Sequence, residues 1–219
     1  MKKLLLSTIA LAALAYAVPA SADVTIIDQL SGTGDNVIFD SSTLSLVTGS
    51  FNGQHQGLVD FTCLGGCTNF VGAQNGNDLK ITADGLTNLQ VQVFDSAHTN
   101  VLATQTDVFS IIGTGNVFVA VTANEPGGGT QLFTFDLTTL FGPLGPGQNG
   151  FTLSAINGET INKFTLLDVG GTITDFEHYR IDVAASAVPE PATWGMMLLG
   201  FMGLGFAFRQ RRRMVGFSA

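Results

Sequence analysis

Short runs in which every second residue is hydrophobic or β-branched, cut apart by Gly, Asn and Asp, constrain this chain more than any other feature. "DVTII" (23–27), "NVIFD" (36–40), "LVDFT" (58–62), "LQVQVFD" (89–95), "VFVAVT" (117–122), "LFTFDL" (132–137) and "FTLSAI" (151–156) all have strand length. In "FTLSAINGETINKFTLL" the pair Asn157-Gly158 separates two alternating arms and supplies the positive φ angles of a two-residue hairpin turn. "YRIDV" (179–183) reads as the last strand, "TDVFSII" (106–112) is ambiguous, and no amphipathic helical stretch stands out. About ten short strands at this spacing predict an all-β domain, an antiparallel β-sandwich of jelly-roll-like form. Thirteen Phe residues between 39 and 176 are available to fill its core, and Phe133 and Phe135, two apart, share a sheet face. "GTGDNVIF" (32–39) and "GTGNVFV" (113–119) resemble each other as turn-to-strand patterns, without the fixed period of a solenoid.

The ends differ from this middle. Lys2-Lys3, an apolar run from Leu4 to Ala17, and Val18-Pro19-Ala20-Ser21-Ala22 make a signal peptide over 1–22. Ala20 and Ala22 form the small-x-small signal peptidase site, so cleavage is expected before Asp23. Between Asp23 and Val188 only Lys80, Lys163 and Arg180 stand against sixteen Asp and Glu, a formal charge of −13 with His neutral. That excludes a nucleic-acid binder, which needs clustered Lys and Arg to neutralise phosphates. It suits a soluble domain outside the cell, where calcium is a candidate guest.

At the other end, Trp194 to Phe208 are fifteen uncharged, mostly apolar residues. As a helix they would span about 22 Å of a roughly 30 Å hydrocarbon core, a single short transmembrane helix completed by flanking residues. Arg209, Arg211, Arg212 and Arg213 follow as a stop-transfer cluster that stays cytoplasmic, with the preceding domain outside. Pro189-Glu190-Pro191 lies just before, where two prolines enforce an extended, accessible segment. Pro-Glu-Pro, Trp194 three positions on, the Met- and Gly-rich apolar run and the terminal Arg cluster together resemble the PEP-CTERM sorting signal of Gram-negative bacteria, in its PEPxxWA-like form. Gly195 stands where that form usually has Ala.

The resemblance implies Sec export, transient anchoring in the inner membrane, processing near Pro189, Glu190 and Pro191 by an exosortase, and release toward the cell surface or the extracellular space. It also implies an association with exopolysaccharide and biofilm. The same tail is labelled the C-terminal domain of ice-binding proteins, a label that says nothing about ice when only the tail matches. A permanent anchor remains the other reading of the short apolar run. The expected organisation is signal peptide 1–22, β-sandwich ectodomain 23–183, linker 184–188, sorting signal 189–213 and a cytoplasmic end 214–219.

Cys63 and Cys67 are the only cysteines, spaced Cys-Leu-Gly-Gly-Cys. In an exported protein such a pair closes as a disulfide, and the alternative, metal binding, would need two further ligands that no nearby His or Cys supplies. His55, His98 and His178 are scattered, so a metal site or triad would have to be assembled by the fold. There is no nucleophile elbow, phosphate loop or zinc-protease motif. Asp175 and Glu177 share a strand face and are the one candidate carboxylate pair. "GTGDN" (32–36) and "NGND" (75–78) offer hard oxygen ligands without EF-hand spacing. Before the tail the expected mature chain has one Tyr, Tyr179, and no Trp, which disfavours a stacking lectin.

The expected function is therefore a non-enzymatic, exported envelope or matrix protein without a required cofactor. Its partners are the Sec machinery, exosortase, the inner membrane in passing, and exopolysaccharide. Alternatives are a calcium-assisted glycan-binding domain, an ice- or surface-binding face, for which "TIT" (172–174) alone is no Thr array, and a hydrolase.

Overall fold

Each β-run finds an antiparallel neighbour for its backbone donors and acceptors. The computed structural model describes residues 23–184, apart from 33, 52, 54 and 77, together with 201 and 202. The strands are Asp23–Ile27 (β1), Asp35–Asn36 (β2), Ile38–Ser42 (β3), Leu46–Phe51 (β4), Gly57–Gly65 (β5), Thr68–Asn75 (β6), Asp78–Leu86 (β7), Asn88–Asp95 (β8), Val101–Leu102 (β9), Thr104–Asn124 (β10), Thr130–Asp136 (β11), Gln148–Ile156 (β12) and Thr160–Val183 (β13). One short helix, Leu137–Phe141 (α1), follows β11. The chain is thus an all-β, antiparallel sandwich over its described residues.

Two long strands organise it. The first half of β10 pairs with β12 and with the second half of β13, while its second half pairs with β11 and with the first half of β13. β13 likewise pairs with β8 through Lys163–Leu167 and with β7 and β2 through its later residues. One layer therefore runs β11, β10, β13, β8, β5, β4, β3, with β9 on β8, and the other runs β1, β12, β10, β13, β7, β6. β10 and β13 belong to both layers, bending where one layer gives way to the other.

The bend has a local cause. The β10–β13 register breaks between Ile112 and Gly113 and again between Thr114 and Asn116. Gly115 has φ +110°, and a Cβ on Gly171 would fall on the Thr114 carbonyl oxygen. Only glycine allows the two backbones to approach this closely while both strands turn.

Between the layers the inward positions interdigitate. Phe61 of β5 packs on Phe176 at 5.5 Å and edge-on to Tyr179 at 5.3 Å, both on the opposite layer. Phe109 of β10 stacks on Phe164 at 5.1 Å. Each of these rings is fully buried. Burying one such side chain contributes roughly 1.5–3 kcal/mol relative to exposure.

Local sequence chemistry and the structure agree at the Asn157-Gly158 turn, where both residues take positive φ (59° and 86°) between β12 and β13. They differ elsewhere. "LFTFDL" ends one residue early, because Asp136 caps α1, accepting from the Thr139 N–H at 3.1 Å and the Thr139 hydroxyl at 2.6 Å. "TDVFSII" is strand, continuous with "VFVAVT", and "YRIDV" is the end of β13 instead of a strand of its own. Unread in the sequence, β6 and β7 form a hairpin around "NGND".

The chain divides into two units, Met1–Ala184 and Ala185–Ala219, and the sandwich belongs to the first. The signal peptide with Ala20 and Ala22 lies outside the described residues, as do the sorting residues Pro189, Glu190, Pro191 and Trp194 and the cluster Arg209, Arg211, Arg212 and Arg213. Of the expected transmembrane helix only Phe201 and Met202 are described, both helical and exposed. Among the described residues no helix is long and apolar enough to cross a membrane.

Candidate functional site

The richest polar cluster gathers side chains of β7, β12 and β13, with β10 between β12 and β13 in the sheet. Phe176 and Tyr179 both face the core although they are three residues apart, a spacing that strand periodicity forbids. The extra residue is absorbed at His178, which takes φ 56° where the β10–β13 register shifts between Val108 and Ser110. At this bulge the consecutive side chains of Glu177, which is buried, and His178, which is half-buried, both make polar contacts.

Lys80 of β7 reaches Asp175 at 2.8 Å and Glu177 at 4.0 Å. Gln148 of β12 donates to Glu177 Oε1 at 3.2 Å and contacts His178 Nε2 at 3.0 Å, and His178 Nδ1 lies 2.9 Å from Asp78. The Thr174 hydroxyl, with one proton to donate, lies 3.0 Å from Asp175 Oδ2 and 3.2 Å from the Ile112 carbonyl oxygen. Asp175 therefore holds the Lys80 ammonium above its ordinary pKa, chiefly through their hydrogen bond and against the opposing effect of burial. The carboxylate pair expected from sequence is thus bridged by a cation. One ammonium offsets one of the two formal carboxylate charges, and it sits closer to Asp175 than to Glu177.

Every histidine has an aspartate. His98 Nε2 lies 2.9 Å from Asp60, which also accepts from Thr48 at 3.0 Å, and His55 Nδ1 lies 3.7 Å from Asp35, which accepts the His55 N–H at 2.9 Å. The three aspartates lie on different strands, β2, β5 and β7, while His55 and His98 are in loops and His178 is on β13. Among the described residues no group of three or more His, Cys, Asp or Glu could hold a metal ion. The two stretches considered as oxygen ligands have other roles: Asp35 of "GTGDN" is in β2, and Asp78 of "NGND" pairs with His178 at the β6–β7 turn.

Cys63 and Cys67 form a disulfide with a Cα–Cα separation of 5.8 Å, joining the end of β5 to the beginning of β6. The bridge ties two strands that lie in different layers.

A separate polar group is sealed inside the core. Asp107 of β10 accepts from the Tyr179 hydroxyl at 2.5 Å and from the Thr104 hydroxyl at 2.6 Å, one donor per carboxylate oxygen. Its surroundings exclude water, and that desolvation raises its pKa to about 6 against the opposing pull of the two hydroxyls. Burial, with the adjacent carboxylate, likewise pushes the Tyr179 phenol well above its ordinary value. Sequence reasoning missed this triad, because an Asp inside "TDVFSII" looks like any polar residue on an alternating strand.

Strand pairing and core packing define the described portion as an antiparallel all-β sandwich followed in sequence by a separate C-terminal unit. That C-terminal stretch, residues 187–213, matches the sequence model of the PEP-CTERM protein-sorting motif. As a sorting signal it implies export and exosortase processing. No curated protein sequence matches the chain. Among solved structures, a "Carbohydrate binding module family29" protein is similar at 10% identity with a TM-score of 0.31, over 74% of this chain and 87% of that one, a likeness too distant to bear on function.

Proposed function

We propose that this protein is an exported, non-enzymatic component of the cell envelope or extracellular matrix, delivered by an exosortase that recognises Pro189, Glu190 and Pro191. Trp194 to Phe208 would hold it briefly in the inner membrane, and release would place the sandwich at the surface in association with exopolysaccharide. The observation that carries this reading is the sorting-motif match over 187–213, beginning four residues after the last strand ends at Val183. The non-enzymatic part is supported by how the polar groups are engaged: Lys80 lies between Asp175 and Glu177, and each histidine is paired with one aspartate.

Intact mass of the protein recovered from membrane and released fractions of a native-like host tests it. A released form ending near Pro191 is the expected result. A full-length tail retained in the membrane, with no shorter form, would refute the sorting step.

A further inference from the structure

Glu159 is fully buried, yet it follows directly on the exposed Asn157-Gly158 turn. Its Oε2 accepts from the Asp23 main-chain N at 2.6 Å, while Oε1 has no hydrogen-bond partner. The charged groups facing it are the side chains of Asp23, on β1, and Glu125, just beyond β10, and both are acidic. Burial chiefly raises the Glu159 pKa, against the lowering effect of the Asp23 N–H hydrogen bond and with smaller raising effects from the two carboxylates. A buried carboxylate with one amide donor, one orphan oxygen and only acidic neighbours is an unfavourable arrangement. It is also one suited to a cation attached to Asp23.

We propose that Glu159 is the receptor for the α-ammonium group that signal peptidase creates on Asp23, so that removal of the leader completes a buried ion pair and finishes the fold. The inference rests on the export reading and on cleavage between Ala22 and Asp23. Hydrolysis of that peptide bond places the carboxylate on Ala22 and leaves the amine on Asp23, which takes up a proton below its pKa. The same nitrogen that offers one N–H as an amide then offers three with a positive charge. One can remain on Oε2 and another can reach Oε1, and the charge offsets Glu159 and its two acidic neighbours. β1 is an edge strand, held only by β12, so the pair would pin the first residue of the mature chain to the β12–β13 turn.

An α-amine that gains a carboxylate on folding has a folded pKa above its unfolded value of about 8. The stability it contributes is complete below pH 8 and is lost as pH rises through the folded pKa. Lys80 and Tyr179 are raised as well, from 10.5 and 10.0, so their own losses fall above pH 10. The window from about pH 7.5 to about 9.5 therefore isolates the amine.

The experiment uses the full chain exported and processed in a native-like host, with the N-terminus read by mass. Unfolding is compared across that window for the wild type, for Glu159→Gln, and for a chain with one Ala inserted between Ala22 and Asp23, which keeps Glu159 but moves the amine one residue away. With Asp23 as the first residue, the wild-type folded-to-unfolded ratio should fall about sixfold across that window if the folded amine has a pKa near 9, and neither variant should show that fall. An identical pH profile in all three, with the wild type and Glu159→Gln beginning at Asp23 and the insertion variant at its added Ala, would overturn the ion pair and leave the leader reading intact. A mature chain beginning elsewhere would overturn both.

Discussion

Replacing Tyr179 with Phe removes one oxygen from the centre of the molecule and leaves everything else in place. The ring continues to fill its site against Phe61, Phe164 and Phe176, so no cavity term enters. What changes is Asp107, whose Oδ1 loses its only donor while Thr104 still serves Oδ2. At pH 7.5 Asp107 is ionised, since its folded pKa is about 6. A hydrogen bond to a buried charge contributes roughly 1.5–3 kcal/mol, so Tyr179→Phe should cost about 2–3 kcal/mol there. At pH 5 the carboxyl is mostly protonated and the lost bond joins two neutral groups, worth about 1 kcal/mol.

In the wild type the same group shapes the pH profile. Protonation favours the folded state wherever the folded pKa exceeds the unfolded one. The stability that comes from Asp107 is therefore present below pH 4 and lost as pH rises to 6, by about 3 kcal/mol for a carboxyl whose pKa is near 4 in the unfolded chain and about 6 in the folded one. Urea unfolding of the processed protein at pH 5 and 7.5 reads both effects. Equal losses in Tyr179→Phe at the two pH values, or a loss below about 1 kcal/mol at pH 7.5, would refute the assignment of a buried carboxylate held by that hydroxyl.

Two further outcomes follow from local geometry. Changing Cys63 and Cys67 together to Ser should lower stability by about 2 kcal/mol, the chain entropy of so short a loop, and the native wild-type protein should show no thiol reactive to a disulfide exchange reagent. Asp95 accepts from the Thr99 N–H at 2.8 Å and from the Asn100 side chain at 2.6 Å, which hold its carboxyl at about 2. Its carboxyl-carbon resonance should titrate near that value, and Asn100→Ala should raise it. The stability this turn supplies is present above the unfolded pKa and disappears as pH falls through about 2. A midpoint near 4 would show that the hydrogen bonds do not form in solution.

Local chemistry was legible wherever neighbours in sequence are also the partners in space. Asn157-Gly158 makes its turn from its own backbone preferences, and Cys63 and Cys67 are close enough in sequence to meet with little help from the fold. The polar clusters were not legible for the opposite reason. Tyr179 meets Asp107 across 72 residues and His178 meets Asp78 across 100. A spacing of three between Phe176 and Tyr179 was the one written sign of the bulge at His178, and it shows only once both rings are known to face inward.

The two long strands show the same division most clearly. Glycine in "GTG" (113–115) and "GGT" (170–172) reads as punctuation between short strands, because glycine most often ends them. Here glycine lets β10 and β13 bend together and continue into the second layer. By itself the sequence determined the strand-rich class, the hairpin turn, the acidic surface and the sorting tail, since these depend on composition, periodicity and contiguous motifs. Only tertiary structure decided which Asp is buried, which carboxylates share a lysine and which carboxylate waits at Asp23. Burial and charge pairing depend on distances through space, and those exist only after the two layers have closed on each other.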